Sequence, residues 1–100
     1  MKIREVAAAV LELDEALSYY KDIHPDLADA FFHEVAQAKQ LISRFPFAWK
    51  NLGRGMKGFI VRHYPYTLIY QVREETIWVV AYAHHSRRPD CWKDRLREIH

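Results

Sequence analysis

The sequence has few of the residues that build disulfide, metal or membrane proteins. Its 100 residues include one cysteine, Cys91, with three glycines and four prolines. One thiol cannot form an internal disulfide, and no second thiol stands near a histidine at zinc-ligand spacing. No run approaches the roughly 18 apolar residues of a membrane helix, and the N-terminus lacks the apolar stretch of a secretory signal. We therefore expect a cytoplasmic protein that contacts no membrane and uses no metal or cofactor.

The composition indicates one small folded domain over residues 1–100. Half of the residues are hydrophobic and 14% are aromatic, which excludes intrinsic disorder. A chain of this length buries enough surface for one hydrophobic core and little more. Neither a second domain nor a large substrate cleft is therefore expected.

Charge is distributed unevenly along the chain. Residues 1–49 carry five Lys or Arg against eight Asp or Glu, whereas residues 50–100 carry ten against five. A basic surface favours an acidic partner, either nucleic acid or an anionic protein segment. The same asymmetry can also serve solubility alone, so both interpretations stay open at this point.

A short strand and two amphipathic helices are predicted in the first half of the chain. The strand covers residues 2–6, and the first helix runs from Val6 to about His24. Its apolar face comprises Val6, Val10, Leu13, Leu17 and Tyr20. The second helix begins at Pro25, which suits a first helical turn, and ends before Pro46. Its apolar face comprises Leu27, Phe31, Val35, Ala38, Ile42 and Phe45.

The second half predicts a sheet. Residues 59–64, 67–73 and 76–83 are rich in branched and aromatic side chains and are separated by hairpin-length turns, which predicts an antiparallel meander. Residues 47–58 contain all three glycines and are predicted as a flexible basic loop. A helical turn beginning near Pro89 and packed through Trp92 ends the chain. The predicted fold is α+β, with an N-terminal strand and a two-helix hairpin packed on an antiparallel sheet of about four strands, in the order β-α-α-β-β-β.

The candidate functional residues are basic. In a meander, Arg62, one of His84 and His85, and Arg87 gather at one end of the sheet, beside the basic loop. The full set of expected anion-binding or partner-binding residues is Lys50, Arg54, Lys57, Arg62, Arg87, Arg88 and Trp92. Arginine binds phosphate or carboxylate in a bidentate manner, and histidine exchanges protons near neutral pH. The alternative is structural, with Arg62 bonded to a carboxylate or a carbonyl and the histidines ending a strand.

The tyrosines and tryptophans are expected to pack. Tyr64, Tyr66 and Tyr70 could stack on nucleobases, but antiparallel sheets use tyrosine mainly for packing. Trp49, Trp78 and Trp92 are expected to cover the core or an interface.

Several stretches together resemble the RelE/ParE toxin superfamily. They are Tyr19-Tyr20, Phe45-Pro46, Arg62-His63-Tyr64-Pro65-Tyr66, and the segment from Ala83 through His84, Arg87 and Pro89 to Trp92. The resemblance covers essentially the whole chain. It implies a toxin of a bacterial type II toxin–antitoxin pair, of the plasmid-stabilisation type, neutralised in a hetero-oligomer by a cognate antitoxin whose C-terminal segment wraps it.

The branches of this superfamily act on different targets. RelE-like members cut messenger RNA in the ribosome, whereas ParE-like members poison DNA gyrase without an evident hydrolytic site. Arg62 and Arg87 match basic positions of the RelE-like branch, but Cys91 stands where many relatives have a tyrosine. The resemblance therefore favours a ParE-like gyrase inhibitor. The alternatives are a ribosome-dependent endoribonuclease with His84, His85 and Arg62 as catalytic residues, and a non-toxic relative that only binds its antitoxin.

Overall fold

The computed structural model describes residues 1–86 and 92–99. Its elements are β1 (Lys2–Glu5), α1 (Ala7–Ile23), α2 (Pro25–Arg44), β2 (Lys50–Gly53), β3 (Met56–Ile60), β4 (Tyr66–Arg73), β5 (Thr76–His84) and a 3-10 helix (Lys93–Glu98). The five strands form one sheet in the order β1-β5-β4-β3-β2. β1 pairs with β5 in parallel, and all other pairs are antiparallel. The α+β fold is confirmed, and the described ranges contain five strands instead of about four.

The helix boundaries follow from local chemistry, as predicted. His24 has extended backbone angles and separates the two helices, because a residue before proline disfavours helical geometry. Its Nδ1 accepts the backbone N–H of Asp26 at 3.1 Å and so caps α2, which has Pro25 in its first turn. α2 ends at Arg44, two residues before Pro46.

The buried faces of the helices differ from the predicted stripes. On α1 the residues packed into the core include Ala9, Leu13 and Ala16, whereas Val10 is 40% exposed. On α2 the predicted Phe31, Val35, Ala38 and Ile42 are buried together with Ala28, but Leu27 and Phe45 are exposed. Alanines occupy buried positions on both helices, whereas the larger Val10 and Leu27 lie on the exposed side.

The predicted flexible loop is wrong: residues 50–60 form the β2–β3 hairpin. Gly53 and Gly55 adopt positive φ angles of 90° and 75°, so two glycines build a tight turn. Gly58 lies within β3, where an added Cβ would come within 2.9 Å of Leu52 Cδ1 and 3.1 Å of Thr67 Cγ2. Glycine is required there for a close approach of side chains, not for flexibility.

The strand predicted over 59–64 also ends early. β3 stops at Ile60, and the next residues turn, with His63 at a positive φ of 70°. At the C-terminus Trp92 is buried beside the 3-10 helix, as expected, whereas the predicted start near Pro89 lies outside the described residues.

The core lies between the two helices and one face of the sheet. Tyr82 of β5 is buried, and its hydroxyl donates to Glu5 Oε2 at 2.5 Å. Glu5 also pairs with Lys39 of α2 at 3.2 Å, so this network joins β1, β5 and α2. Burial raises the pKa of Tyr82 far above its usual value, with the Glu5 hydrogen bond as a second cause. No helix in the described part of the chain is long and apolar enough to span a membrane.

Candidate functional site

One end of the sheet brings together some of the predicted basic residues. It is formed by the β3–β4 turn and the end of β5, because Tyr66 pairs with His84 and the N–H of His85 donates to the carbonyl of Pro65 at 2.9 Å. Arg62 lies in the same turn. The structure therefore places Arg62, His84 and His85 at one end of the sheet, which we call the rim.

The basic residues of the β2–β3 hairpin do not join the rim as a group. Gln71, near the far end of β4, donates through Nε2 to the carbonyl of Arg54 at 2.7 Å, so Arg54 lies at the opposite end of the sheet. Lys57 donates to Asn51 Oδ1 at 2.7 Å and to the carbonyl of Trp49 at 3.4 Å. The prediction that the whole basic segment lies beside the rim is therefore wrong. The segment forms a hairpin, and the tip of that hairpin lies at the end of the sheet opposite the rim.

Among the basic residues of the hairpin, Lys50 lies closest to the rim. It pairs with Gly58 and lines a groove of about 440 Å³ together with Ile60 and Thr67. Arg87 and Arg88 lie outside the described residues. Trp92 is buried, so its indole contributes to the core.

The two histidines face opposite sides of β5. The His84 ring packs edge-on against Tyr66, with 5.1 Å between ring centroids, and its Nδ1 accepts the N–H of Ser86 at 3.0 Å. His85 Nε2 lies 3.0 Å from Thr67 Oγ1. Tyr66 and Thr67 are successive residues of β4 and project from opposite faces of the sheet, so the two imidazoles that contact them lie on opposite faces as well.

Arg62 faces a third surface. It is exposed and lines a groove of about 620 Å³ between α2 and β3, which includes His33, Glu34 and Ile60. His84 instead lines a groove of about 520 Å³ along α1, with Tyr19. The predicted rim residues are thus neighbours that open onto separate surfaces.

The tyrosines of the rim pack, as predicted. The Tyr64 ring lies edge-on to Tyr20 and Phe31, with centroids 5.2 Å and 4.8 Å away, and its hydroxyl donates to the carbonyl of Leu27 at 3.3 Å. Burial raises the pKa of Tyr64 above its usual value, and the nearby Glu34 carboxylate acts in the same direction. Tyr70 is fully buried, and its hydroxyl donates to the carbonyl of Pro46 at 2.7 Å. The Tyr64 ring therefore joins the turn to both helices, and Tyr70 joins β4 to the segment that follows α2.

A buried ion pair near this end was not expected from the sequence. Glu12 of α1 is 8% exposed and binds the Arg95 guanidinium through both oxygens, at 2.5 Å and 3.1 Å. Its Oε1 also accepts the N–H of Tyr82 at 3.1 Å. The sequence did contain a cue for this pair, since Glu12 lies between Ala9 and Ala16 on one face of α1. That position predicts a buried carboxylate once the buried face of the helix is known.

Comparison with known proteins decides the family. The family model for the ParE toxin of the type II toxin–antitoxin system, parDE, matches residues 7–89. The chain belongs to the ParE toxin family. The search of curated proteins returned no match, and eight chains among solved structures match.

One of the matching structures is described as the chromosomal ParDE toxin–antitoxin system from P. aeruginosa. It superposes with a TM-score of 0.67 at 12% identity, and the match covers 84% of this chain and 95% of that chain. At this identity the likeness shows the fold alone. The two helices on an antiparallel-rich sheet are therefore the ParE-like architecture that the sequence motifs implied.

Proposed function

We propose that this ParE-family protein is a growth-inhibiting toxin, that a cognate antitoxin neutralises it, and that it acts by binding DNA gyrase. The separation of the rim side chains is the observation that favours gyrase over messenger RNA as the target. Cleavage of RNA by its own 2′-hydroxyl needs a base, an acid and a cation around one phosphate. Arg62, His84 and His85 open onto different surfaces, so they do not form such a constellation.

The antitoxin requires a surface that can accept an added segment. β2 pairs only with Met56–Gly58, so the edge of β3 at Phe59 and Ile60 has no neighbouring strand among the described residues. Because the N–H of Val61 donates towards β4, the backbone groups of Ile60 point away from the sheet. The Ile60 side chain is 64% exposed and lies between the two grooves that flank this edge.

Charge complementarity suggests what such a segment carries. Arg62 lines one of the two grooves and Lys50 lines the other. An apolar segment with acidic residues, docking along the Ile60 edge, would bury exposed apolar surface and neutralise both cations. We propose this edge as the place where the antitoxin docks.

The target is tested by inducing the protein without its antitoxin. Expected results are growth arrest, inhibition of supercoiling by purified gyrase with accumulation of cleaved DNA, and intact transcripts. Replacing His84 by Ala should leave the inhibition of gyrase unchanged. Messenger RNA with 3′-phosphate or cyclic-phosphate ends, lost in Arg62→Ala, would instead establish the ribosome-dependent nuclease, and unimpaired growth would establish a non-toxic relative.

The docking edge is tested with Ile60→Asp. This variant should bind the antitoxin at least tenfold more weakly and remain toxic in its presence. The control is Leu11→Asp, since Leu11 is 62% exposed on α1 and lies outside both grooves. Equal affinity of both variants would exclude the edge. If replacing Arg62, Arg87 and Arg88 together by Ala changed neither toxicity nor antitoxin affinity, these three arginines would have no role in either.

A further inference from the structure

A second cationic surface lies at the opposite end of the sheet, on the face turned away from the helices. Glu5 points towards α2, because it pairs with Lys39, so the neighbouring Arg4 points to the other face. Arg4 is opposite Trp78 in the parallel pair of β1 and β5, and Arg73 is opposite Thr76 in the antiparallel pair of β4 and β5. Paired residues project from the same face, so two arginines flank one tryptophan.

These side chains form a groove of about 460 Å³. It is lined by Arg4, Arg73, Glu74, Thr76, Trp78 and Ile99. Lys2 is opposite Thr76 in the pair of β1 and β5 and adds a third cation beside the groove. The floor therefore combines an indole and an isoleucine side chain, with guanidinium groups on both sides.

Both guanidinium groups are oriented by uncharged partners. Arg4 stacks over the Trp78 ring, with its Cζ 6.0 Å from the ring centroid. Arg73 Nε donates to Gln71 Oε1 at 2.5 Å. Gln71 is 8% exposed and is itself held by its hydrogen bond to the carbonyl of Arg54. The buried amide of Gln71 thus fixes the Nε end of the guanidinium, and within residues 1–86 and 92–99 no hydrogen bond occupies the two terminal nitrogens of Arg73.

Neither of these arginines is neutralised by a carboxylate in the described part of the chain. The ion pairs of lysine and arginine that the structure shows there join Lys39 to Glu5 and Arg95 to Glu12. A planar guanidinium binds the two oxygens of a carboxylate or phosphate in a fork, and its affinity for them rises when the group is already oriented. Two oriented arginines without a carboxylate partner indicate a site for an anion.

The turn beside the groove determines which kind of anion fits. Glu74 and Glu75 both have positive φ angles, 48° and 66°, in a two-residue hairpin where Asn-Gly is the favoured pair. Left-handed geometry costs a residue with a side chain roughly 1–2 kcal/mol. The turn places the Glu74 carboxylate in the lining of the groove, where it repels a polyanion such as DNA more strongly than a ligand with a single negative charge.

We propose that this groove binds an acidic residue of a partner protein, presented next to an apolar side chain that rests on Trp78 and Ile99. This inference is independent of the proposed action on gyrase, since it uses neither the rim nor the β3 edge. The partner is recognised by one carboxylate between Arg4 and Arg73 and by apolar contact with the floor.

The test is selection of a random heptapeptide display library on the purified protein. The enriched sequences should carry Asp or Glu beside an aromatic or branched residue. A synthetic peptide of the enriched sequence should shift the indole resonance of Trp78 in a ¹⁵N-labelled sample. Replacing its acidic residue by Asn or Gln should weaken binding at least tenfold. No enrichment, or enrichment without acidic residues, would overturn the proposal.

Variants of the protein locate the site. Arg4→Ala and Arg73→Ala should each weaken peptide binding at least tenfold, and Arg73→Lys should weaken it because the charge remains but the fork is lost. Lys21→Ala, on the exposed end of α1, is the matched control and should bind as the wild type does. Equal binding by all these proteins would exclude the groove.

A single-stranded oligothymidylate distinguishes nucleic acid from peptide. The wild type should bind it far more weakly than the peptide, and Glu74→Asn with Glu75→Gly should strengthen that binding without weakening the peptide. Preferential binding of the oligonucleotide by the wild type at this groove would contradict the proposal.

Discussion

The Glu12–Arg95 pair should stabilise the fold by closing an open edge of the sheet. β1 leaves the sheet at Val6, whose N–H donates to the carbonyl of Val79 at 3.0 Å. Beyond that point no strand among residues 1–86 and 92–99 pairs with β5 on this side. Glu12 accepts the N–H of Tyr82, and Arg95 Nη1 donates to the carbonyl of Val80 at 3.3 Å. The two side chains therefore replace the missing strand and bind each other.

The predicted perturbation is Glu12→Gln. The amide can still accept the N–H of Tyr82, but it removes the negative charge that Glu12 places against the Arg95 guanidinium. Removing one partner of a buried ion pair costs about 3–5 kcal/mol. We expect a loss near the lower limit of about 3 kcal/mol, because the Arg95 side chain is 18% exposed and water can partly solvate its charge. In a domain of this size each kcal/mol lowers the melting temperature by about 4–8 °C, so the loss should reach roughly 12–24 °C.

Urea unfolding followed by far-ultraviolet circular dichroism measures this loss. Replacing both residues by apolar ones, as Glu12→Leu with Arg95→Met, should cost much less than the sum of the single changes, because neither charge of this pair is then buried without the other. Glu15→Gln on the exposed face of α1 is the control and should change the free energy of unfolding by less than about 0.5 kcal/mol. A cost for Glu12→Gln below about 1 kcal/mol, or strict additivity in the double variant, would refute the reasoning.

Three further predictions concern the strands. Gly58→Ala should lower the free energy of unfolding by about 1–3 kcal/mol in urea titrations, since its Cβ would crowd Thr67. An unchanged free energy of unfolding would mean that the neighbouring side chains move aside without cost. Burial raises the pKa of Tyr70 to about 12, so the folded state keeps a proton that the unfolded chain loses near 10. Stability is therefore lost as the pH rises from 10 through 12, and Tyr70→Phe should reduce this loss when unfolding is measured across that range. Glu74→Asn with Glu75→Gly should raise the melting temperature by relieving the left-handed strain, and a lower value would show that the glutamates stabilise the turn.

The helix boundaries and the strands β4 and β5 could be predicted from the sequence because the features that specify them are local. Pro25 and Pro46 bracket α2 for reasons of backbone sterics, which act within a few residues. The branched and aromatic runs of β4 and β5 need only their own composition to be recognised. The hairpin at residues 50–60 was missed because it is built from glycines and basic residues, and its strand character comes from pairing with β4.

The sequence by itself determined the helices, the meander, the basic second half and the ParE-like motifs, because each depends on neighbouring residues along the chain. Tertiary structure decided which side chains meet. Ile69 pairs with Ala81 and Tyr70 with Val79, so Val80 has no partner in β4. This bulge exchanges the two faces of β5 beyond it, so that Tyr82 and His84 point to the helices and His85 points away. A bulge arises from the register between two strands, and no run of residues within one strand specifies it.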